Sequence, residues 1–221
     1  DRDSFFEIGA GWGRAVIEGF ARIGGYPVGV IGNNCMHLGG ALDAQACDKQ
    51  SRFMDFCDTF HVPILYFVDN PGFMIGAEAE QQGVARSAAR AMQSAQWADV
   101  PIITIQVRKA YGLGPYSTTN PDRLGLRLAW PSADWGGFPA EGGVDAMFRR
   151  QVEEAADPED FRRRAEEMMN KHTSPWPTAE WFGVEEIIHP GETREIVYRF
   201  LEAARIGMAS RLGPPAFRAR I

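Results

Sequence analysis

Two strand-loop-helix units constrain this chain more than any other feature. The first runs Val62-Pro63-Ile64-Leu65-Tyr66-Phe67-Val68-Asp69-Asn70-Pro71-Gly72-Phe73-Met74-Ile75-Gly76. The second runs Val100-Pro101-Ile102-Ile103-Thr104-Ile105-Gln106-Val107-Arg108-Lys109-Ala110-Tyr111-Gly112-Leu113-Gly114. Each opens on Val-Pro, continues as a buried-type apolar strand and ends in a glycine-bearing loop. Glycine reaches backbone conformations that other residues avoid and places no side chain in the way, so such loops can turn N–H groups toward a bound group. Open α/β sheets bind ligands at the C-terminal ends of their strands, where both loops fall. The plainer reading of the same loops is a pair of left-handed turns joining strand to helix.

Further strands and helices alternate along the rest of the chain. Residues Ser4 to Gly19 place Phe5, Phe6, Ile8, Trp12, Val16 and Ile17 at mixed helical spacings, and a short helix is expected there. Ala21 to Ile23 and Val28 to Ile31 read as an antiparallel hairpin around Gly24-Gly25-Tyr26-Pro27. Helices are expected at Ala41 to Phe60, Gln82 to Trp97, Gly142 to about Val152, Asp157 to about Lys171 and Glu192 to Met208, with a helical turn at Thr178 to Phe182. Strands are expected at Ile64 to Val68, Ile102 to Val107, Arg127 to Trp130 and Val184 to Ile188. Helices between strands argue for parallel pairing through right-handed crossovers. The tail Arg211 to Ile221 is expected to lie extended against a partner or disordered.

The length of 221 residues and the unbroken strand-helix rhythm favour one domain, 1–221. The net charge is -6 and the basic residues are scattered, which excludes a nucleic-acid face. No apolar run approaches the roughly 20 residues of a membrane span, and no basic-apolar-small signal opens the chain. Cys35, Cys47 and Cys57 are an odd set without CxxC spacing and read as reduced structural thiols, so a cytoplasmic location is expected. The first residue is Asp and the chain enters an amphipathic pattern at once, so a piece of a longer polypeptide is expected.

Side-chain chemistry has little support. GxSxG, GxGxxG and GxxxxGK[ST] are all missing, which removes the nucleophile-elbow, dinucleotide and P-loop readings. His37, His61, His172 and His189 lack ligand spacing, and no metal is expected. Cys35 stands two residues from His37, a spacing that fixes no thiol–imidazole pair. Glu78 and Glu80 follow the first glycine loop, where acids more often cap the next helix than act as acid or base. Asp69, before Asn70-Pro71, reads as turn-forming.

The strongest runs are Asp69-Asn70-Pro71-Gly72-Phe73, Arg108-Lys109-Ala110-Tyr111-Gly112 and Leu128-Ala129-Trp130-Pro131. With them go Asp3-Ser4-Phe5-Phe6-Glu7, Gly39-Gly40-Ala41-Leu42-Asp43 and Pro190-Gly191-Glu192-Thr193-Arg194. In these residues, taken in order over nearly its whole length, the chain resembles the carboxyltransferase (beta) subunit of biotin-dependent acyl-CoA carboxylases of the propionyl-CoA and methylcrotonyl-CoA type, within the crotonase superfamily. The resemblance implies an α/β, crotonase-like (ClpP/crotonase) fold with a mostly parallel sheet and flanking helices. It also implies that 1–221 is the C-terminal, biotin-side domain.

The same resemblance implies the site. The N–H groups of Leu113 and Gly114, after Gly112, are expected to form an oxyanion hole for the biotin ureido oxygen. Pro71, Gly72 and Phe73 are expected to line the biotin ring, and Pro115 and Tyr116 to select the acyl group. The implied cofactor is biotin, carried as carboxybiotin on a carrier domain. Implied partners are the acyl-CoA substrate, the biotin carboxyl carrier and biotin carboxylase components, an N-terminal carboxyltransferase half and further copies in a homo-oligomer. Carboxyl transfer to the α-carbon, or a vinylogous carbon, then needs no protein nucleophile. A biotin-dependent decarboxylase subunit of the same fold and a non-catalytic scaffold half are the alternative readings. The stretches Gly114 to Pro121 and Gly136 to Glu141 depart from the family's usual residues.

Overall fold

The computed structural model describes residues 1–137, 140–170, 173–210 and Gly213. Among the described residues there are eight strands: β1 (Phe6–Ile8), β2 (Val16–Ile23), β3 (Tyr26–Asn33), β4 (Ile64–Asn70), β5 (Ile102–Tyr111), β6 (Gly125–Ala129), β7 (Asp134–Gly136) and β8 (Glu186–Ile187). They form one sheet in the order β1-β2-β3-β4-β5-β6-β8, with β7 pairing along the end of β5. The first three strands pair antiparallel, and every later pairing is parallel.

Helices α1 (Ala44–Thr59), α2 (Ala77–Gln81) and α3 (Val84–Trp97) fill the crossovers. They are followed by α4 (Ala140–Glu154), α5 (Pro158–Asn170), α6 (Pro175–Glu180) and α7 (Thr193–Ala209). Among the described residues no helix is long and apolar enough to cross a membrane. Side chains alternate across a strand, so β4 divides between two cores. Ile64, Tyr66 and Val68 pack with α1 and α3, while Leu65 packs with Ile103, Ile105, Leu128 and the α7 residues Val197 and Leu201. Cys47 and Cys57 on α1 are buried free thiols, and burial pushes Cys47 up to about 12.

The expected hairpin, the expected order of helices and the parallel pairing are all observed. The expected helix over Ser4 to Gly19 is not. That stretch contains β1, a turn and the start of β2, because Gly9 and Gly13 take φ of 63° and 55°, outside the helical region, and Val16 onward alternates as a strand against β3. The expected Gln82 helix begins two residues later, with left-handed Gly83 (φ 77°) separating it from α2. Glu78 and Glu80 lie in the first turn of α2, as capping acids would. The helical turn expected from Thr178 begins instead at Pro175, since proline fits the first turn of a helix. Of the expected tail, all but Gly213 lies outside the described residues.

One buried acid stands out. Glu18, on β2, is 4% exposed, and its Oε2 has no hydrogen-bond partner among the described residues. Lys49 of α1, itself buried, donates to the Val16 carbonyl at 2.7 Å. Burial pushes the Glu18 carboxyl up to about 8, against the pull of Lys49. From the unfolded value of 4.5 up to about 8, the folded chain keeps a proton that the unfolded chain has released. Stability therefore falls as pH rises through this window. Urea unfolding should show a loss approaching about 1.4 kcal/mol per pH unit, and Glu18→Gln, which keeps the shape without the charge, should flatten it. Equal slopes for the two proteins would remove the assignment.

Candidate functional site

The two glycine loops lie side by side because β4 and β5 are parallel neighbours. A Cβ built on Gly72 would stand 3.5 Å from the Tyr111 carbonyl oxygen. Gly72 and Gly112 take φ of 117° and 60°, values that L side chains rarely adopt. The first loop is stitched to the segment before α1: Leu42 N–H donates to the Gly72 carbonyl at 3.0 Å, and Met74 N–H to the Leu42 carbonyl at 2.9 Å. Pro71 is half-buried and Phe73 leans on the core.

In the second loop, Gly112 N–H donates to the Gly136 carbonyl at 3.0 Å. The chain then enters a 3₁₀ turn, Gly114–Ser117, with Leu113 as its N-cap. The first N–H groups of a helical turn have no partner within it. Among the described residues no acceptor serves the N–H of Leu113 or Gly114.

Buried hydrogen bonds hold this turn in place. Tyr66 Oη donates to Gln50 Oε1 at 2.8 Å, and Gln50 Nε2 donates to the Ser117 carbonyl at 2.6 Å. Ser117 Oγ donates to the Gly114 carbonyl at 2.8 Å. All three side chains are fully buried, so Ser117 is a structural hydroxyl and not a presented nucleophile. From α3, Gln96 Nε2 donates to the carbonyls of Tyr116 and Thr119. Asn120 Nδ2 donates back to those of Gln96 and Ala98. Thr104 Oγ1 donates to the Thr118 carbonyl at 2.7 Å. The sequence offered one signal for Gln50, a polar residue inside the apolar stripe Ala46, Phe53, Met54, Cys57 of α1.

Asn70 joins the two loops and was passed over in the sequence. It is fully buried; its Oδ1 accepts from Gly72 N–H at 2.7 Å, and a Cβ on Gly114 would meet its Nδ2 at 2.7 Å. Asp69, expected as a turn residue, instead lies in β4 beside a break in strand register, where pairing jumps from Val68 opposite Gln106 to Asn70 opposite Ala110. Its carboxylate accepts from Arg108 Nε at 3.0 Å and from Lys109 N–H at 3.2 Å. Burial raises the Asp69 carboxyl, and the hydrogen bonds led by Arg108 outweigh it, holding the group below the usual carboxylate range. Cys35 Sγ donates to the Asp69 carbonyl at 3.6 Å, and burial raises this thiol, so the Cys35–His37 spacing yields no activated nucleophile.

Gly112, Pro115 and Tyr116 share the wall of a cavity of about 410 Å³ with Thr104, Gln106 and Trp135. Pro71, Gly72 and Phe73 follow the end of β4, and of the three Gly72 comes close to the second loop, at the Tyr111 carbonyl. His189 is a helix cap, its Nδ1 accepting from Gly191 N–H at 3.1 Å, and His172 lies outside the described residues. Because Asn70 sets how closely the loops approach, Gly114→Ala should cost about 1–3 kcal/mol by overpacking, as should Asn70→Ala by leaving Gly72 N–H unpaired. In a denaturant-based double-mutant cycle, the pair should cost less than the sum by at least about 0.5 kcal/mol. Strict additivity would show that the two residues do not press on each other.

Residues 1–214 match the model of the carboxyl transferase domain. The chain is 36% identical over 197 residues to the propionyl-CoA carboxylase carboxyltransferase subunit of Haloferax mediterranei, covering 88% of this chain and 38% of that protein. It is 36% identical over 205 residues to the methylmalonyl-CoA carboxyltransferase 12S subunit of Propionibacterium freudenreichii, covering 91% and 39%. A crystal structure of a transcarboxylase 12S hexamer, with methylmalonyl-coenzyme A and methylmalonic acid bound, matches with a TM-score of 0.84 and 32% identity over 99% of this chain and 41% of that one. The beta subunit of P. aeruginosa geranyl-CoA carboxylase, 21% identical with a TM-score of 0.86, shares the fold. The chain thus spans about two fifths of the length of these relatives. The fold is crotonase-like, as the resemblance implied. By family model, sequence identity and architecture, this chain belongs to the carboxyl transferase domain family.

Proposed function

We propose that this chain forms the carboxybiotin side of a biotin-dependent acyl-CoA carboxyltransferase. The observation that carries the reading is the pair of N–H groups of Leu113 and Gly114, which have no acceptor among the described residues, beside the Gly72 loop at adjacent parallel strand ends. Donors fixed in advance, as these are by Tyr66, Gln50 and Ser117, suit an oxygen that gains negative charge during reaction. When bound, carboxybiotin supplies the carboxyl group and a ring nitrogen that takes up the α-proton of the acyl-CoA. Leu113 and Gly114 hold the ureido oxygen, Pro71, Gly72 and Phe73 border the ring, and Pro115 and Tyr116 wall the acyl group. The reading asks for no covalent bond between a side chain and the substrate, which agrees with the buried, engaged state of Ser117 and the raised thiol of Cys35.

Partners follow from the surface. Ile75 is 83% exposed and Tyr116 61%, and Leu38 and Leu113 are exposed as well, apolar side chains on the segments around the two loops that a covering subunit would bury. In this reading an N-terminal carboxyltransferase half supplies acyl-CoA binding, copies assemble as a homo-oligomer, and biotin arrives on its carrier from a biotin carboxylase component.

Leu113 has an exposed side chain and a φ of -88°, just beyond the proline range, so Leu113→Pro deletes one donor at a cost in backbone strain that the preceding glycine, Gly112, has to absorb. In the complete enzyme assembly, kcat with carboxybiotin and propionyl-CoA should fall about a hundred- to a thousandfold, with a melting temperature within a few degrees of the parent. A correctly folded variant with undiminished turnover would overturn the backbone account. Tyr116→Ala should shift the ratio of kcat/KM between short and longer acyl-CoAs by about ten- to two-hundredfold. An unchanged profile would place acyl selection elsewhere.

A further inference from the structure

Period-2 alternation on β5 sends Ile103, Ile105 and Val107 to the α7 side, and Ile102, Thr104 and Gln106 to the side covered by α1 and α3. Ile102 fills the core there. Four residues on, Gln106 occupies a position of the same kind, is 6% exposed, and lines the cavity behind Gly112, Pro115 and Tyr116. Its Oε1 is buried and has no hydrogen-bond partner among the described residues. A buried amide oxygen left unpaired is costly, and a strand position that faces a core would be served better by an aliphatic side chain unless something in the cavity completes the amide.

The other polar groups around the cavity narrow what that is. Thr104 Oγ1 is engaged with the Thr118 carbonyl. Arg127, the cation among the lining residues, is held by Glu185, with Nε and NH2 both on Oε1 at 3.0 and 2.6 Å. A carboxylate entering the cavity therefore meets a guanidinium already neutralised, whereas an uncharged polar group meets an amide with capacity to spare. An amide can turn either its carbonyl or its NH₂ toward a ligand, and a hydroxyl, both donor and acceptor, matches either orientation. The volume of about 410 Å³ lies in the range of small-molecule sites, with the faces of Tyr116 and Trp135 as apolar walls for a short chain.

We propose that this cavity receives the acyl chain of the CoA thioester and that Gln106 reads a hydroxyl on it, so that the substrate class is a short hydroxyacyl-CoA. The assignment rests on the carboxyl-transfer reading above and adds a specificity-determining residue to it. An unsubstituted chain leaves the amide unpaired in the bound state, so discrimination runs against the chain that lacks the hydroxyl.

The test compares butyryl-CoA with 3-hydroxybutyryl-CoA and 4-hydroxybutyryl-CoA in the complete enzyme assembly, for the parent protein and Gln106→Met, a variant of similar length without the amide. Carboxylation kinetics and calorimetric binding are both read. The parent should favour one of the hydroxylated substrates by at least about tenfold in kcat/KM. Gln106→Met should erase or invert that preference, gain efficiency with butyryl-CoA and melt no lower than the parent, since it removes an unpaired buried oxygen. A variant that keeps the preference, or a parent that favours butyryl-CoA, overturns the assignment. An amide that merely props the strand would lower the melting temperature of Gln106→Met and leave the substrate ratio alone, which also overturns it. Failure of the carboxyl-transfer reading looks different: no acyl-CoA is carboxylated, yet the hydroxylated compound still binds more tightly and loses that advantage in Gln106→Met.

Discussion

Tyr66 donates to Gln50, Gln50 to the Ser117 carbonyl, and Ser117 to the Gly114 carbonyl, all out of reach of water. These links run from the middle of β4, through α1, to the turn that follows β5. In a low-dielectric interior each such bond is stronger than at the surface, and each would leave an expensive orphan if it broke. The turn therefore has one well-defined position relative to the sheet. The N–H groups of Leu113 and Gly114 at its head, without an acceptor among the described residues, inherit that position.

A second constraint acts on the opposite side of the same loops. The register break between β4 and β5 would leave the strand ends free to slide, but Asp69 pins them by accepting from Arg108 and from the Lys109 N–H. Lys109 Nζ goes on to the Gly39 carbonyl at 2.6 Å, tying in the segment before α1. Motif residues that look reactive in the sequence, an Asp beside an Asn and an Arg beside a Lys, thus serve the backbone geometry. The charged groups hold the frame, and the backbone of the two loops is what that frame positions.

The frame was legible where local patterns carry it. Near-continuous apolar runs after Val-Pro mark β4 and β5, the Gly24-Gly25 turn marks the hairpin, and three- and four-residue steps mark α1, α3 and α7. Ser4 to Gly19 misled because its aromatic and branched residues fall by coincidence at helical steps, while the strand pairing that decides the matter comes from β3. Leu113 and Gly114 emerged through motif resemblance. Gln50 and Gln96 did not emerge, since their partners at Ser117 and Tyr116 lie 67 and 20 positions away and only the fold brings them together. Gln106 is a polar residue in the apolar part of β5, as Thr104 is, and its meaning depends on a cavity no linear pattern displays.

The thiols on α1 have one further consequence. Cys47 and Cys57 face the sheet with no exposed surface, and burial drives both far from the thiolate form that oxidants and alkylating agents attack. Chemical damage at these positions has to wait until α1 lifts away from β2, β3 and β4. Their labelling rate is therefore a clock for that opening, and it registers the same helix that carries Gln50 to the turn. A thiol reagent would time the loosening of the loop scaffold without touching the loop.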